Sequence, residues 1–222
     1  DILGNESTKV LDLAYLNSLY HTGVSNHLDS ALLQCRQMPN HQFHFQELAS
    51  QYPKLDELPF DYERRFTSVL VSHGEENLLI VKGSIDEVCR RCSSVEYKGE
   101  RHTMSGDGME SVRAIVDEML EDGMKVLAVA YRSLKEGTLS QEDEHDFILL
   151  GYLAFFDAPK KSAAGAIQKL QKLHVGVRVL TGDHRDVALS VCRRLGIDTA
   201  QTLTGRELEQ LGKDELPIKI EH

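Results

Sequence analysis

The sequence predicts an α/β fold in two parts: an α+β domain with an antiparallel sheet flanked by helices, then part of a Rossmann-like domain. Three observations predict it. Val, Leu and Ile crowd residues 67–73 and 77–82, with Gly74 and Asn77 as punctuation, which reads as a hairpin. Apolar residues recur at helical spacing over 8–20 and 109–122. Beyond Asp157 the pattern alternates helix and strand, the mark of a parallel α/β unit. The boundary is placed near 156, giving domains of 1–155 and 156–222.

The elements follow in order. Val10, Leu13, Leu16 and Leu19 place a helix over 8–20, broken at Thr22-Gly23. Asn26 reads as the N-cap of a second helix, with Asp29 three residues on. Residues 36–52 are polar, rich in Gln and His, and read as an irregular or weakly helical surface stretch with His41 and His44 solvated. After the hairpin, a helix is expected from just past Gly83 to about Ser93. The 109–122 helix ends at Gly123, followed by strands over 124–132 and 147–155. Between these strands the acidic run Glu142 to Asp146 reads as a solvated loop. In the second part, a helix over 161–173 and a short apolar strand over 175–180 lead to a tight Thr-Gly-Asp turn. A helix over 184–195 follows, closed by Gly196.

Composition narrows the function. With 25 Lys plus Arg against 35 Asp plus Glu, the formal charge is −10. A nucleic-acid binder needs a basic face to displace counterions, so that class is excluded, and so is docking on an anionic membrane surface. The longest apolar run, 147–156, is ten residues, against the roughly 20 that a membrane-crossing helix requires. No signal peptide opens the chain, and the absence of an initiator Met points to an excised fragment. The spacing of Cys35, Cys89, Cys92 and Cys192 builds no disulfide framework, which fits a reducing cytosol.

Several short motifs could carry chemistry. In Thr181-Gly182-Asp183, a hydroxyl, backbone amides and a helix N-terminus converge, which suits a phosphate. The tripeptide alone reads first as an ordinary strand–helix junction with Asp183 as N-cap. Lys82-Gly83-Ser84 ends an apolar strand, where Lys82 either reaches a phosphate or ribose or is a solvated lysine. In the run Phe60 to Arg65, an exposed aromatic beside cations offers a purine a stacking face, unless Phe60 belongs to the core. Cys89 and Cys92 form one C-x-x-C without the second pair that a zinc site needs, and read as core. Asp157 ends an apolar strand as a dehalogenase-type nucleophile would. Pro159 stands where that chemistry wants a general acid, which argues against phosphatase activity. The Ser105-Gly106-Asp107-Gly108 string reads as a loop.

Order and spacing together resemble the cytoplasmic region of P-type ATPases, most similar to bacterial magnesium-transporting ones, over nearly the whole chain. The carriers are Phe60 to Arg65, Lys82-Gly83-Ser84, Asp157-Ala158-Pro159-Lys160 and Thr181-Gly182-Asp183. The stretch Val179 to Ile197 resembles the family's phosphorylation-domain helix, and Leu16-Asn17-Ser18 with Pro59 to Arg65 gives the magnesium-pump flavour. The resemblance implies a nucleotide-binding domain over 1–155 and part of a dehalogenase-like phosphorylation domain over 156–222. It implies that Phe60 stacks on adenine, Asp29 approaches the adenine amino group, and Arg65, Lys82 and Gly83 line the pocket. By the same resemblance Lys125 lies near the phosphates, Asp157 sits at the hinge, and Thr181, Gly182 and Asp183 support the phosphoryl group and its magnesium. It implies ATP as ligand, with Mg2+ held mostly by residues outside the chain. The implied partners are the transmembrane, actuator and remaining phosphorylation parts of a pump in a bacterial inner membrane, with this portion on the cytoplasmic side. Ser84 and Ile85 depart from the usual Ala-Pro, and Ala158 replaces a Pro. The phosphorylated Asp-Lys-Thr-Gly-Thr string and the later Gly-Asp-Gly magnesium motif do not occur, so the chain alone is expected to bind ATP without turning it over. Two other readings stay open: a dehalogenase-type phosphatase, and a non-catalytic interaction module with a vestigial pocket.

Overall fold

A computed structural model describes residues 1–23, 26–37, 42–156, 159–160 and 162–210. Two compact units are distinguishable. One comprises Asp1–Asp117 and Val126–Phe155, the other Glu118–Lys125 and the chain from Phe156 onward.

The first unit opens with α1, Thr8–Tyr20, where the Ser7 hydroxyl accepts from the Val10 amide. Asn26 caps α2, His27–Gln34, accepting from the amides of Leu28 and Asp29. A 3₁₀ turn and α3, Gln42–Gln51, follow. The surface reading of 36–52 is corrected here. Phe45 and Leu48 are buried, and Phe45 stacks on Tyr15 at 4.2 Å between ring centroids. His44 is paired as well, with Nε2 2.7 Å from Asp12 Oδ1. Isolated apolar residues among glutamines gave too faint a period to reveal this face; His41 lies outside the described residues.

The strands are β1 (Lys54–Leu58), β2 (Phe66–His73), β3 (Glu76–Ser84), β4 (Cys92–Tyr97), β5 (Glu100–Thr103), β6 (Met124–Leu134) and β7 (Phe147–Phe156). They form one sheet in the order β1-β2-β3-β6-β7-β4-β5. The expected hairpin is β2–β3, with His73 opposite Glu76 and Gly74 at φ 64, a conformation that glycine adopts at little cost. The antiparallel expectation holds from β1 to β6 and between β4 and β5. It is corrected where β4 pairs with β7 in parallel, which the long connection through β5 and β6 permits.

Alternation along the strands divides the core. Val69, Val71, Ile80, Val129 and Leu150 cluster with Val10, Leu13, Leu16 and Leu32 from α1 and α2. Their sequence neighbours Leu70, Leu79, Val81 and Leu149 are also fully or nearly fully buried, so these strands are covered on both faces.

The helix expected to run from Gly83 to Ser93 is shorter. α4 spans only Ile85–Cys89, and Cys92 begins β4. The sequence Cys92-Ser-Ser-Val-Glu-Tyr alternates as a strand does, and Ser94 and Glu96 are the buried positions with Val95 between them. Burial pushes the Cys89 thiol up to about 11, with Asp86 adding to it. Cys92 is raised too, by burial and by Cys89, so the C-x-x-C is inert core. The 105–108 string is helical from its second residue, within α5, Gly106–Glu121.

In the second unit, α6 spans Ala163–Lys172, α7 Arg185–Leu195 and α8 Gly205–Gln210. α7 ends on Gly196 at φ 73, and the Ile197 amide returns to the Cys192 carbonyl at 3.0 Å, a Schellman closure. Gly123, at φ 82, lies against α7; a Cβ there would stand 2.6 Å from Ser190 Oγ. The strand expected at 175–180 is not formed. Leu180 is 96% exposed, and among the described residues no strand of this unit flanks the segment to take its amides and carbonyls.

Candidate functional site

The site in the first unit is assembled at the start of β2 and the end of β3. Their register sets Phe66 opposite Gly83 and Thr67 opposite Lys82. Asn17 on α1 locks the helix to both strands: its amide donates to the carbonyls of Thr67 and Ile80 at 3.3 and 3.0 Å, and its oxygen accepts from Thr67 Oγ1 at 2.7 Å. That clamp puts the next residue, Ser18, over Lys82.

Lys82 is 5% exposed, so it is not the solvated lysine that the motif alone allowed. Its Nζ donates to Asp29 Oδ1 at 2.5 Å and to Ser18 Oγ. Ser18 Oγ in turn donates to the same Asp29 oxygen at 2.9 Å. His21 Nε2 stands 3.9 Å from the other oxygen, Oδ2. Burial raises the Asp29 carboxyl, but the Lys82 charge and the bonds from Lys82, Ser18 and Asn26 outweigh it, leaving the carboxyl below its ordinary value. Burial lowers Lys82, with Asp29 opposing. These directions pull apart: the first favours the charged pair and the second penalises it. The 2.5 Å contact, with a second donor on the same oxygen, decides for the ionised pair at neutral pH.

Gly83 needs its missing side chain for a reason internal to the sheet: a Cβ would lie 2.3 Å from Phe66 Cβ and 2.5 Å from the Arg65 carbonyl oxygen. The Ser84 amide donates to that carbonyl at 2.9 Å, so Arg65, Gly83 and Lys82 are neighbours. Arg65 is exposed and takes φ 57 where the loop enters β2. Phe60 is 46% exposed, which removes the core reading; its ring meets that of Tyr62 edge-on at 5.5 Å, and Tyr62 is 90% exposed.

An open groove of about 520 Å³ on α1, α2 and the 3₁₀ turn after it, lined by Tyr15, Leu19, Leu33, Arg36 and Gln37, contains none of these residues. We place the site at Lys82, where a buried charge pair and an exposed aromatic loop adjoin, because a groove with one cation lacks convergent polar groups.

In the second unit, Thr181, Gly182 and Asp183 form an exposed turn in which the Asp183 amide donates to Thr181 Oγ1 and that hydroxyl reaches Asp183 Oδ2, both at 3.1 Å. Lys125 Nζ is 3.2 Å from Asp183 Oδ1. The N-cap of α7 is His184, not Asp183. Asp157 lies outside the described residues.

Sequence reasoning missed four participants. Ser18 stood in a quoted motif without a role, and His21 carried no signal. Glu144 was read as part of a solvated loop and Arg64 as a cation beside an exposed aromatic, but the two are buried together, with Arg64 Nη1 2.5 Å from Glu144 Oε1. Among the described residues no helix is long and apolar enough to cross a membrane, and no cluster of three His, Cys, Asp or Glu is placed to hold a metal.

Comparison with known proteins converges. The sequence profile of the P-type ATPase cytoplasmic domain N matches residues 20–162. The chain is 38% identical over 219 residues to a magnesium-transporting P-type ATPase of Escherichia coli, covering 97% of this chain and 24% of that protein. It is 36% identical to the corresponding Salmonella typhimurium protein with the same coverage. To a calcium-transporting ATPase of Listeria monocytogenes it is 30% identical over 182 residues, 80% of this chain and 21% of that protein. The chain thus spans about a quarter of the length of these relatives.

Proposed function

This chain belongs to the P-type ATPases, through their cytoplasmic domain N, and we propose that it binds ATP for a magnesium-transporting pump. The observation that carries the reading is Phe60: an apolar ring, 46% exposed, on a loop that runs straight into the strand pair bearing Arg65 and Lys82. A base stacks on Phe60, and Arg65, exposed where the loop enters β2, faces the sugar and phosphates, while Lys82 holds Asp29. Asp29 holds Lys82 through Oδ1, and Oδ2, with His21 Nε2 3.9 Å away, is the oxygen offered to the adenine amino group. In the second unit, the Thr181-Gly182-Asp183 turn and Lys125 support the phosphoryl group, with Mg2+ arriving on the nucleotide. The whole pump hydrolyses ATP to move its cation across a bacterial inner membrane, with this portion on the cytoplasmic side. The magnesium assignment follows the relatives of highest identity named above.

Removing the stacking face should weaken ATP binding by about 1–3 kcal/mol, about fivefold to more than a hundredfold. The check is an ATP titration followed by amide chemical shifts on wild type and Phe60→Ala. Shifts grouped near Phe60, Lys82 and Asp29 and abolished in the variant support the reading. Equal affinity of the two proteins would sink it and bring the interaction module forward.

A further inference from the structure

Phe60 stays out of the core because both shoulders of its loop are tied down. Arg64 does the tying. It is 9% exposed, and its guanidinium engages all three nitrogens: Nε on Asp61 Oδ2 at 2.6 Å, Nη1 on Glu144 Oε1 at 2.5 Å, and Nη2 on the Pro59 carbonyl. Glu144 is 5% exposed, and the same oxygen accepts from Ser68 Oγ on β2 at 2.6 Å. The guanidinium also lies over the Phe66 ring, 5.3 Å from its centroid. Asp61 closes the loop from inside, accepting from the amides of Glu63 and Arg64 at 2.7 and 2.9 Å, while the Arg65 amide returns to the Asp61 carbonyl at 2.8 Å. Pro59 and Arg64 are thus fixed to each other and to Glu144, eighty residues along the chain from Arg64. Between them the rings of Phe60 and Tyr62 are left facing solvent.

A loop carrying two aromatics gains by folding them onto apolar surface. Keeping them outward requires an opposing constraint, and a planar five-donor guanidinium gripping two carboxylates and a carbonyl supplies one that a lysine cannot. We propose that Arg64 and Glu144 are positioning residues, holding Phe60 outward as a preorganised base-stacking face. The inference rests on the nucleotide-binding reading above. It also gives the acidic run at 142–146 a role, because Glu144 is the anchor of the loop. The turn Gln141–Asp143 before it is closed by a Ser140–Asp143 capping box that presents that anchor.

The experiment uses the chain's lack of tryptophan: Phe60→Trp places one indole on the loop and keeps a stacking ring. ATP dissociation constants are measured for Phe60→Trp alone and combined with Glu144→Gln or Arg64→Lys, together with acrylamide quenching of the indole before ATP is added. Both second substitutions should weaken ATP by about fivefold, roughly the part of the stacking energy that depends on a fixed ring orientation. Both should also change the quenching. A merely structural role moves the melting temperature and leaves quenching and affinity as they were, and that result overturns the proposal. If Glu144→Gln does not fold, Asp61→Asn takes its place, since that side chain is 42% exposed and ties only the loop; it should shift quenching and affinity in the same direction, and failure to do so also overturns the proposal. The two levels separate cleanly. If Phe60→Ala in the otherwise unchanged chain leaves ATP binding intact, the nucleotide reading fails and the positioning role with it. If Phe60→Ala weakens ATP and Glu144→Gln does not, only the positioning role fails.

Discussion

Asp29→Asn should destabilise the first unit by about 3–5 kcal/mol, the loss usual when one partner of a buried ion pair is removed. Both side chains are 5% exposed, so water cannot replace the missing carboxylate. Lys82 would keep Ser18 as a hydrogen-bond partner but no counter-charge. A second substitution, Lys82→Met, should recover much of the loss, because an apolar side chain of similar length removes the orphaned charge. The pH dependence has a defined sign. Burial already lowers Lys82 from its ordinary 10.5, and without Asp29 the opposing attraction is gone. Between the folded value and 10.5 the unfolded chain then binds more protons than the folded one, so stability rises with pH. The deficit of Asp29→Asn therefore shrinks as pH is raised toward 10.5. Wild type has the complementary acid limb. Asp29 is held below its ordinary 3.8, so its contribution is complete above that pH and is lost as pH falls through the folded value. Glu57 and Glu96 work in the same direction: burial raises each, and bonds from Thr22 and Lys54, or from Lys9 and Tyr131, more than reverse it. Denaturant unfolding followed on β2 and β3 amides measures all of this. A deficit that does not change with pH would show that Lys82 is not a buried charge.

The parts of this arrangement visible in the sequence are those set by local pattern. The β2–β3 hairpin announces itself through two apolar runs and Gly74, and α1 and α2 through their periods and the Asn26 cap. Motif spacing singled out Lys82, Gly83 and Arg65 because each stands at an element end, and Phe60 because it lies on the loop leading into β2. What the pattern could not carry was pairing over distance. Glu144 sits in a run of charges that composition describes as solvent-facing, and only the tertiary pairing with Arg64 makes it buried. The short strand β4 was hidden for the converse reason: its alternation is carried by Ser and Glu, whose burial depends on Arg101, Lys9 and Tyr131 arriving from elsewhere. Segment 175–180 shows the limit from the other side. It has the composition of a strand, but strand formation is a property of a pair of segments, not of one.

Gly83→Ala separates two accounts of the glycine at the heart of the site. The family resemblance explains it by close approach of a nucleotide to the backbone. The geometry explains it by close approach of β2. The atoms that an added methyl would meet are Phe66 Cβ at 2.3 Å, Phe66 Cα at 2.4 Å and the Arg65 carbonyl oxygen at 2.5 Å. Two of these three are backbone atoms, and they cannot swing aside as a side-chain tip does. Relief requires the strands to part, which strains the Ser84–Arg65 hydrogen bond and the Thr67–Lys82 pairing beside it. Overpacking usually costs about 1–3 kcal/mol, and with backbone as the obstacle the expected loss is at the upper end or beyond. Gly182→Ala, where nothing lies within 4 Å, is the matched control and should stay within about 0.5 kcal/mol of wild type. The strand account predicts that Gly83→Ala lowers the unfolding midpoint without nucleotide present. A Gly83→Ala protein that unfolds like wild type but no longer binds ATP would refute that account and return the glycine to the ligand. Because the parting strands carry Arg65 and Lys82 close together at this end of the hairpin, the strand account also requires ATP affinity to fall together with stability.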